Sequence, residues 1–391
     1  MKYLRGYLVA AVFGAITWVL MQYGERFSTL IDMVYPYITR NLQDVLAQWS
    51  SAADFCLWQV LAVGLGVLLL ATVVLMLILK WNPVRWLGWV LAAGCFLYMC
   101  HTVIFGLNYY AGDLADDIRM DTSGYTMERL VEAAEYYRDR ANTLALQADR
   151  NSSDATVEFE DFDTLAGKAG EGFEYLTRER CFSVFAGSTL PVKKLGWADM
   201  YTSMGITGFT FAMTGEAAVN PQIPDVSLPF TMCHEMAHRM CIASEKDANF
   251  AGFLACSVNS DLQFRYSAYF MAYRYCLNAV AAVSDKAAAD LKSGANEYLA
   301  YDMAMYDQFF SARKSESATK VADTVNDTYL KTSGESSGIR SYGEVCDLLV
   351  NWYNQEVVIP AQTEEASHFD PYDSSQVDLS GIVNAGGNSV G

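Results

Sequence analysis

A chain of 391 residues with a hydrophobic fraction of 52% and a net charge of −18 holds one large domain or two ordinary ones. That acidity excludes nucleic acid as a natural partner, because phosphates would be repelled rather than neutralised. The apolar residues are unevenly spread: residues 6–24, 55–79 and 86–112 contain no Asp, Glu, Lys or Arg. Each is long enough to cross a bilayer as a helix, so residues 1–112 read as a membrane anchor with three spans.

Lys2 and Arg5 precede the first segment, which could be a cleaved signal peptide. No small-residue cleavage site follows Leu20, which favours an uncleaved anchor. The third segment carries Trp86, Trp89, Tyr98, Tyr109 and Tyr110 toward its ends, where interfacial aromatics belong. His101 inside it reads as a hydrogen-bonding group toward a neighbouring helix rather than a metal ligand. The hairpin at 80–85 carries Lys80 and Arg85 and no acid, which marks it as cytoplasmic. The loop at 25–54 holds Glu25, Asp32, Asp44 and Asp54 against Arg26 and Arg40 and falls outside. Three crossings then place residues 113–361 outside the cytoplasmic membrane of the cell. Residues 113–391 hold 21 of the 27 basic and 41 of the 45 acidic side chains, a net charge of −20. The bilayer is expected to hold the anchor while the acidic region stands off it.

That region reads as mainly helical, with an α+β character. Residues 126–150 form an amphipathic helix, 151–163 an acidic linker, and 161–180 further helix. Gly, Thr and aromatic residues between 191 and 220 suggest two or three strands in a short antiparallel sheet. Pro221, Pro224 and Pro229 lead into a helix near Phe230. Residues 250–258 and 269–283 are apolar, but Asp261, Arg265 and Arg274 interrupt them, so they read as buried core helices. The last helices are 321–331 and 342–356, and 362–391 is a polar, Gly/Ser-rich tail expected to be disordered. Cys181, Cys233, Cys241, Cys256, Cys276 and Cys346 follow no disulfide-framework spacing. Either the exterior is not strongly oxidising or one or two pairs form.

The chemistry lies in His234-Glu235-Met236-Ala237-His238. On a helix, positions i and i+4 share a face, so two imidazoles can grip one zinc ion, and the intervening Glu can take a proton from the attacking water. A catalytic zinc site needs a third protein ligand. Glu245 lies seven residues past His238, which on one straight helix is about 10 Å further along the axis and too far to share the ion. The chain must turn, and Ser244 with Asp247 resembles a capping box starting a new helix at Glu245. Glu245 is then the third ligand, Asn249 one turn later orients a ligand from behind, and Asp247 is the competing ligand better suited to the cap. Cys233 and Cys241 flank the zinc helix as spare thiolates, without a CxxC to support them.

Residues 205–220 (GITGFTFAMTGEAAVN), 228–238 (LPFTMCHEMAH) and 245–256 (EKDANFAGFLAC) resemble a bacterial membrane family, domain of unknown function 3810. Its members pair a HExxH helix with a Glu-x-x-Ala-Asn helix. The later stretches FRYSAY, YLK and GIRSYGEVCDLL fit as well, so the resemblance covers nearly the whole chain. The ExxAN element is also similar to that of ImmA/IrrE-type metallopeptidases. In two places the chain departs from the pattern. Cys241 stands where a Gly is expected after the second His, and Ala212-Met213 precede Thr214-Gly215-Glu216 where the family run reads Pro-Phe-Thr-Gly-Glu. The resemblance implies a zincin-like domain on a membrane anchor and names no substrate.

The reading is peptide-bond hydrolysis of a peptide or protein at Zn2+, held by His234, His238 and Glu245 with Glu235 as acid and base. Arg265, Tyr266, Arg340 and Tyr342, from stretches that match the family, are candidates to stabilise the oxyanion. Residues 207–211, with Thr207, Gly208 and Phe209, are the expected edge for an extended substrate, bordered by Glu216 and Asn220. The alternative is a non-catalytic membrane scaffold or receptor with a structural zinc, which would not need Glu235.

Overall fold

A computed structural model describes residues 3–335 and 341–362, with the backbone alone at 341–343. The chain opens with α1 (Arg5–Arg26), α2 (Ser28–Ser50), α3 (Leu57–Ile78) and α4 (Pro83–Ile104). Of these, α1, α3 and α4 are long and apolar enough to cross a membrane, and they overlie the three expected segments. The third is shorter than expected, because the chain leaves the helix at Phe105 and continues as a 3-10 turn, Gly106–Tyr110. α1 and α4 pack backbone to backbone: a Cβ on Gly6 would lie 2.5 Å from the Gly88 carbonyl carbon. On α3 the buried residue is Gln59.

The segment read as a loop between the first two spans is instead α2. It buries Thr39, Arg40, Gln43, Ala47 and Ser50 against the rest of the protein. Its buried face is polar and its exposed face apolar, the reverse of a soluble amphipathic helix.

The remaining helices are α5 (Leu114–Asp117), α6 (Met127–Ala145), α7 (Phe162–Lys168), α8 (Glu171–Glu179), α9 (Ala198–Met204), α10 (Leu228–Arg239), α11 (Glu245–Val258), α12 (Leu262–Ala281), α13 (Asp285–Ser293), α14 (Glu297–Arg313), α15 (Glu316–Ser333) and α16 (Ser341–Tyr353). α9, α13 and α14 had no counterpart in the sequence reading. The core is built around α10, α11 and α12, where Met232, Met236, Phe250, Phe264 and Phe270 are fully buried, with α6 and α16 packed outside them. The two apolar stretches that could have passed for spans are therefore core helices.

Three short strands, β1 (Lys193–Lys194), β2 (Gly208–Phe211) and β3 (Glu216–Val219), form a sheet in the order β1-β3-β2. β2 runs antiparallel to the buried central β3, but β1 runs parallel to it, so the sheet is mixed rather than antiparallel. The parallel pair is possible because α9 and β2 supply the crossover. All nine cysteines are free, although the Cys276 and Cys346 sulfurs lie 3.7 Å apart in the core. The tail expected at 362–391 lies outside the described residues except for Gln362.

Candidate metal centre

α10 is buried on every side, and its first turn is closed from α12, where the Ser267 hydroxyl accepts the Phe230 N–H at 3.0 Å. Pro229 suits this turn because its missing N–H would have no partner there. α11 crosses α10 closely enough that a Cβ on Gly252 would stand 3.3 Å from the His234 nitrogen. The i, i+4 spacing sets the His234 and His238 rings edge to face, with centroids 4.7 Å apart.

The turn that brings Glu245 back is a helix-ending motif with a cysteine at its left-handed position. Cys241 has φ +69°, its N–H donates to His238 O at 2.9 Å, and the Ile242 N–H donates to Ala237 O at 3.1 Å. This is the paired bonding of a Schellman motif, ordinarily completed by Gly. The Cys241 side chain sits against Thr39 and Asn108. The same turn places Ile242 O 2.8 Å from His238 Nδ1. With Nδ1–H donating there, Nε2 presents its lone pair to the site.

α11 begins at Glu245 as expected, but the expected cap is absent. Ser244 makes no side-chain capping bond and its Oγ is buried without a partner. Asp247 is turned toward the Leu114 backbone rather than Ser244, and burial raises its pKa to about 7. Glu245 Oε2 lies 3.4 Å from His234 Nε2 and 3.5 Å from His238 Nε2. Ligand atoms of these three residues all fall within 4.8 Å of one another, and among the described residues they form the group of histidine, cysteine and acid side chains able to hold a metal.

The donor set fits zinc. Ligands about 2.0–2.1 Å from a tetrahedral ion sit roughly 3.3–3.4 Å apart, the spacing of the two nitrogen–oxygen pairs. Glu245 Oε2 and His234 Nδ1 are buried without hydrogen-bond partners, and an unpaired buried carboxylate oxygen is costly. Burial opposes charge on His238, yet the Glu245 carboxylate carries its pKa up to about 9. Burial also opposes charge on Glu245, and the two imidazoles hold it well below the usual carboxylate range. The cluster thus favours a positive charge at its centre.

Glu235 is placed beside this cluster by β2. Thr210 Oγ1 lies 2.7 Å from Glu235 Oε2 and 2.8 Å from its backbone oxygen. Burial raises the Glu235 pKa, against the pull of His234 and His238. Gly208, two residues before Thr210, faces the same side of the strand and leaves room for the carboxylate. Phe209 points the other way, toward Trp58, with ring centroids 5.2 Å apart. Thr207 O accepts the Asn220 N–H at 2.8 Å just before β2 (Gly208–Phe211), which ends the strand order β1-β3-β2.

Other expected residues are engaged elsewhere. Glu216 is buried and accepts the N–H groups of Leu57 at 2.7 Å and Trp58 at 2.9 Å, with Lys193 Nζ at 2.7 Å. It caps the amino end of α3 and ties the sheet to that apolar helix rather than bordering a cleft. Asn220 binds Thr202 Oγ1 at 2.8 Å and accepts the Gln222 N–H at 3.0 Å, holding the loop before α10. Tyr266 is fully buried with its hydroxyl on Asp302, which also pairs with Arg150. Arg265 is its half-buried neighbour. Arg340 and the Tyr342 side chain lie outside the described residues. Asn249 follows Glu245 by one turn, and its Oδ1 accepts the Tyr275 hydroxyl at 3.0 Å. Tyr275, whose pKa is raised by burial and by charges including that of Glu245, was missed. An aromatic residue inside an apolar helix carries no local signal separating a site residue from a core one. Cys233 and Cys241 stand outside the metal group, and His101 Nε2 lies 3.4 Å from the Tyr329 hydroxyl on α15.

These features define a class: a helical protein with three apolar amino-terminal helices and a buried His-His-Glu cluster beside a placed acid. The chain belongs to the family described as protein of unknown function (DUF3810), which matches residues 31–350. No curated protein and no solved structure matches it.

Proposed function

We propose that this protein is a membrane-anchored zinc metallopeptidase that hydrolyses peptide bonds at the outer side of the cytoplasmic membrane. The carrying observation is the convergence of His234, His238 and Glu245 with Glu235 held alongside by Thr210. Bound there, zinc would polarise the scissile carbonyl and acidify the attacking water. Glu235 takes the proton as the water oxygen adds to the carbonyl carbon, then returns it to the amide nitrogen as the C–N bond breaks. An extended substrate strand would add to the edge of β2, so that Gly208 and Thr210 align it above Glu235.

A donor for the developing oxyanion is still required. Tyr266 is committed to Asp302, whereas Tyr275 is linked through Asn249 to the helix that carries Glu245. We assign the donor role to Tyr275. A zinc that only braces the fold gives no reason for a buried acid held beside the cluster, which favours catalysis over a scaffold. Lys80 and Arg85 in the α3–α4 hairpin supply the orientation. The deciding experiment is Glu235→Gln in the full-length protein, expected to retain zinc and lose cleavage by ~10²-fold or more. Equal cleavage by variant and wild type would return the scaffold reading.

A further inference from the structure

We infer that the substrate is the membrane-proximal segment of a polypeptide itself tethered to the bilayer, an inference that rests on the peptidase reading. α2 presents an apolar stripe away from the protein. Leu30, Met33, Ile38, Val45 and Trp49 stand between 60% and 67% exposed along its outer face. A helix with a polar face on protein and an apolar stripe facing away lies in the plane of a bilayer interface. The occupant of that stripe follows from continuity: Phe27 alone separates α2 from α1, and a short link joins it to α3. The membrane ends of both helices fix α2 at the lipid surface.

The end of the HExxH helix and the β2–β3 turn rest on this interfacial helix. Arg40 Nε donates to Met240 O at 3.2 Å, the residue that ends the HExxH helix, and Gln43 Nε2 donates to Ala212 O at 3.0 Å. Phe105, just past α4, packs with Ala212 and with Ala243 in the metal turn. On the other flank Trp58, in the first turn of α3, meets Phe209, and the next residue, Thr210, holds Glu235. One helix thickness, about 10 Å, therefore separates the end of the HExxH helix from the lipid surface, and His238 lies two residues before that contact. A chain leaving a span covers that height in roughly three extended residues and passes the site within about ten. Tethering in the same bilayer would also hold the segment at roughly millimolar effective concentration. The site is built at the height of a juxtamembrane segment.

The test uses the full-length protein in phospholipid nanodiscs, as Glu235→Gln with a photoreactive residue replacing Thr207. The probe is a single-span polypeptide with a long unstructured tail, compared with the same tail lacking its span. Adducts are expected within about ten residues of the probe's span, and the free tail should give ~ten-fold fewer. Adducts spread along the tail, or equal capture of the free tail, overturn the inference. A second measurement is independent of capture. Ile38→Cys and Trp49→Cys, each labelled in a background with Cys95, Cys100 and Cys181 replaced by Ser, should be quenched by headgroup-nitroxide lipids, and labels that stay bright overturn it as well. Wild-type cleavage of the same probes reports separately on the peptidase reading. Juxtamembrane capture with no cleavage by zinc-loaded wild type counts against hydrolysis, whereas cleavage at scattered positions counts against the tethered substrate alone.

Discussion

Gly208 faces the Glu235 carboxylate so closely that a Cβ at position 208 would stand 2.3 Å from Oε1 and 2.6 Å from Cγ. No real Cβ tolerates such an approach, so any side chain at 208 must displace the acid or the strand. Gly208→Ala is therefore expected to retain zinc and lower kcat by ~10²-fold, because a shift of about 1 Å in a catalytic group has that effect. Steady-state cleavage beside elemental analysis separates this from collapse of the site. Wild-type turnover in Gly208→Ala would show that Glu235 does not act from this position.

The cluster makes a sharper statement about the metal. Purified full-length protein should carry about one zinc per chain. His238→Ala and Glu245→Ala should each lose most of it, since each removes one of the three atoms that converge there among the described residues. Asp247→Ala should keep its zinc, because that side chain is turned toward Leu114. Mass spectrometry of the metal decides this, and full occupancy in Glu245→Ala would remove Glu245 from the site.

His234, His238 and Glu235 were legible as a group because helical spacing alone puts them on one face. Glu245 was legible from the length of the gap, which forced a turn. How the chain turns was not. The cap expected from Ser244 and Asp247 is absent, and the turn is made by Cys241 in a left-handed conformation, stabilised by contacts with Thr39 and Asn108 far away in sequence. Glu216 was misplaced for a similar reason. Beside β3 in the sequence it reads as a cleft acid, and only the fold brings the free N–H groups of Leu57 and Trp58 to it. α2 escaped because its apolar stripe faces outward, so its period indicates no protein core. Local periodicity recovered the elements that bury an apolar face, and long-range pairing decided the rest.

Tyr275 tests whether the oxyanion donor was found. Its hydroxyl reaches Asn249 Oδ1 in the resting site, leaving Asn249 Nδ2 buried without a partner. That arrangement can give up one hydrogen bond when a better acceptor arrives. Tyr275→Phe is expected to keep zinc and leave KM little changed while lowering kcat by ~10²-fold, the usual effect of removing one such donor. Unchanged kcat would make Tyr275 a structural residue of α12 and reopen the search among Arg265, Arg340 and Tyr342.

Orientation decides which proteins the site can meet. Among the described residues α1, α3 and α4 are the helices suited to crossing, and all three domain-side ends, Arg26, Leu57 and Ile104, adjoin segments that pack on the region holding the His-His-Glu cluster. Lys80 and Arg85 in the opposite hairpin are the residues that cytoplasmic retention would act on. The −20 region from residue 113 onward should then face away from the cytoplasm. Cleavage of α1 would leave this outcome intact, since the hairpin charges still orient α3 and α4. A reporter fused after Val390 can read it: alkaline phosphatase should be active, and a fluorescent protein that folds only in the cytoplasm should stay dark. The reverse pattern would mean that one apolar helix does not cross. The metal cluster and the juxtamembrane height of the site would be unaffected, but the tethered substrates would be presented from the cytoplasmic face.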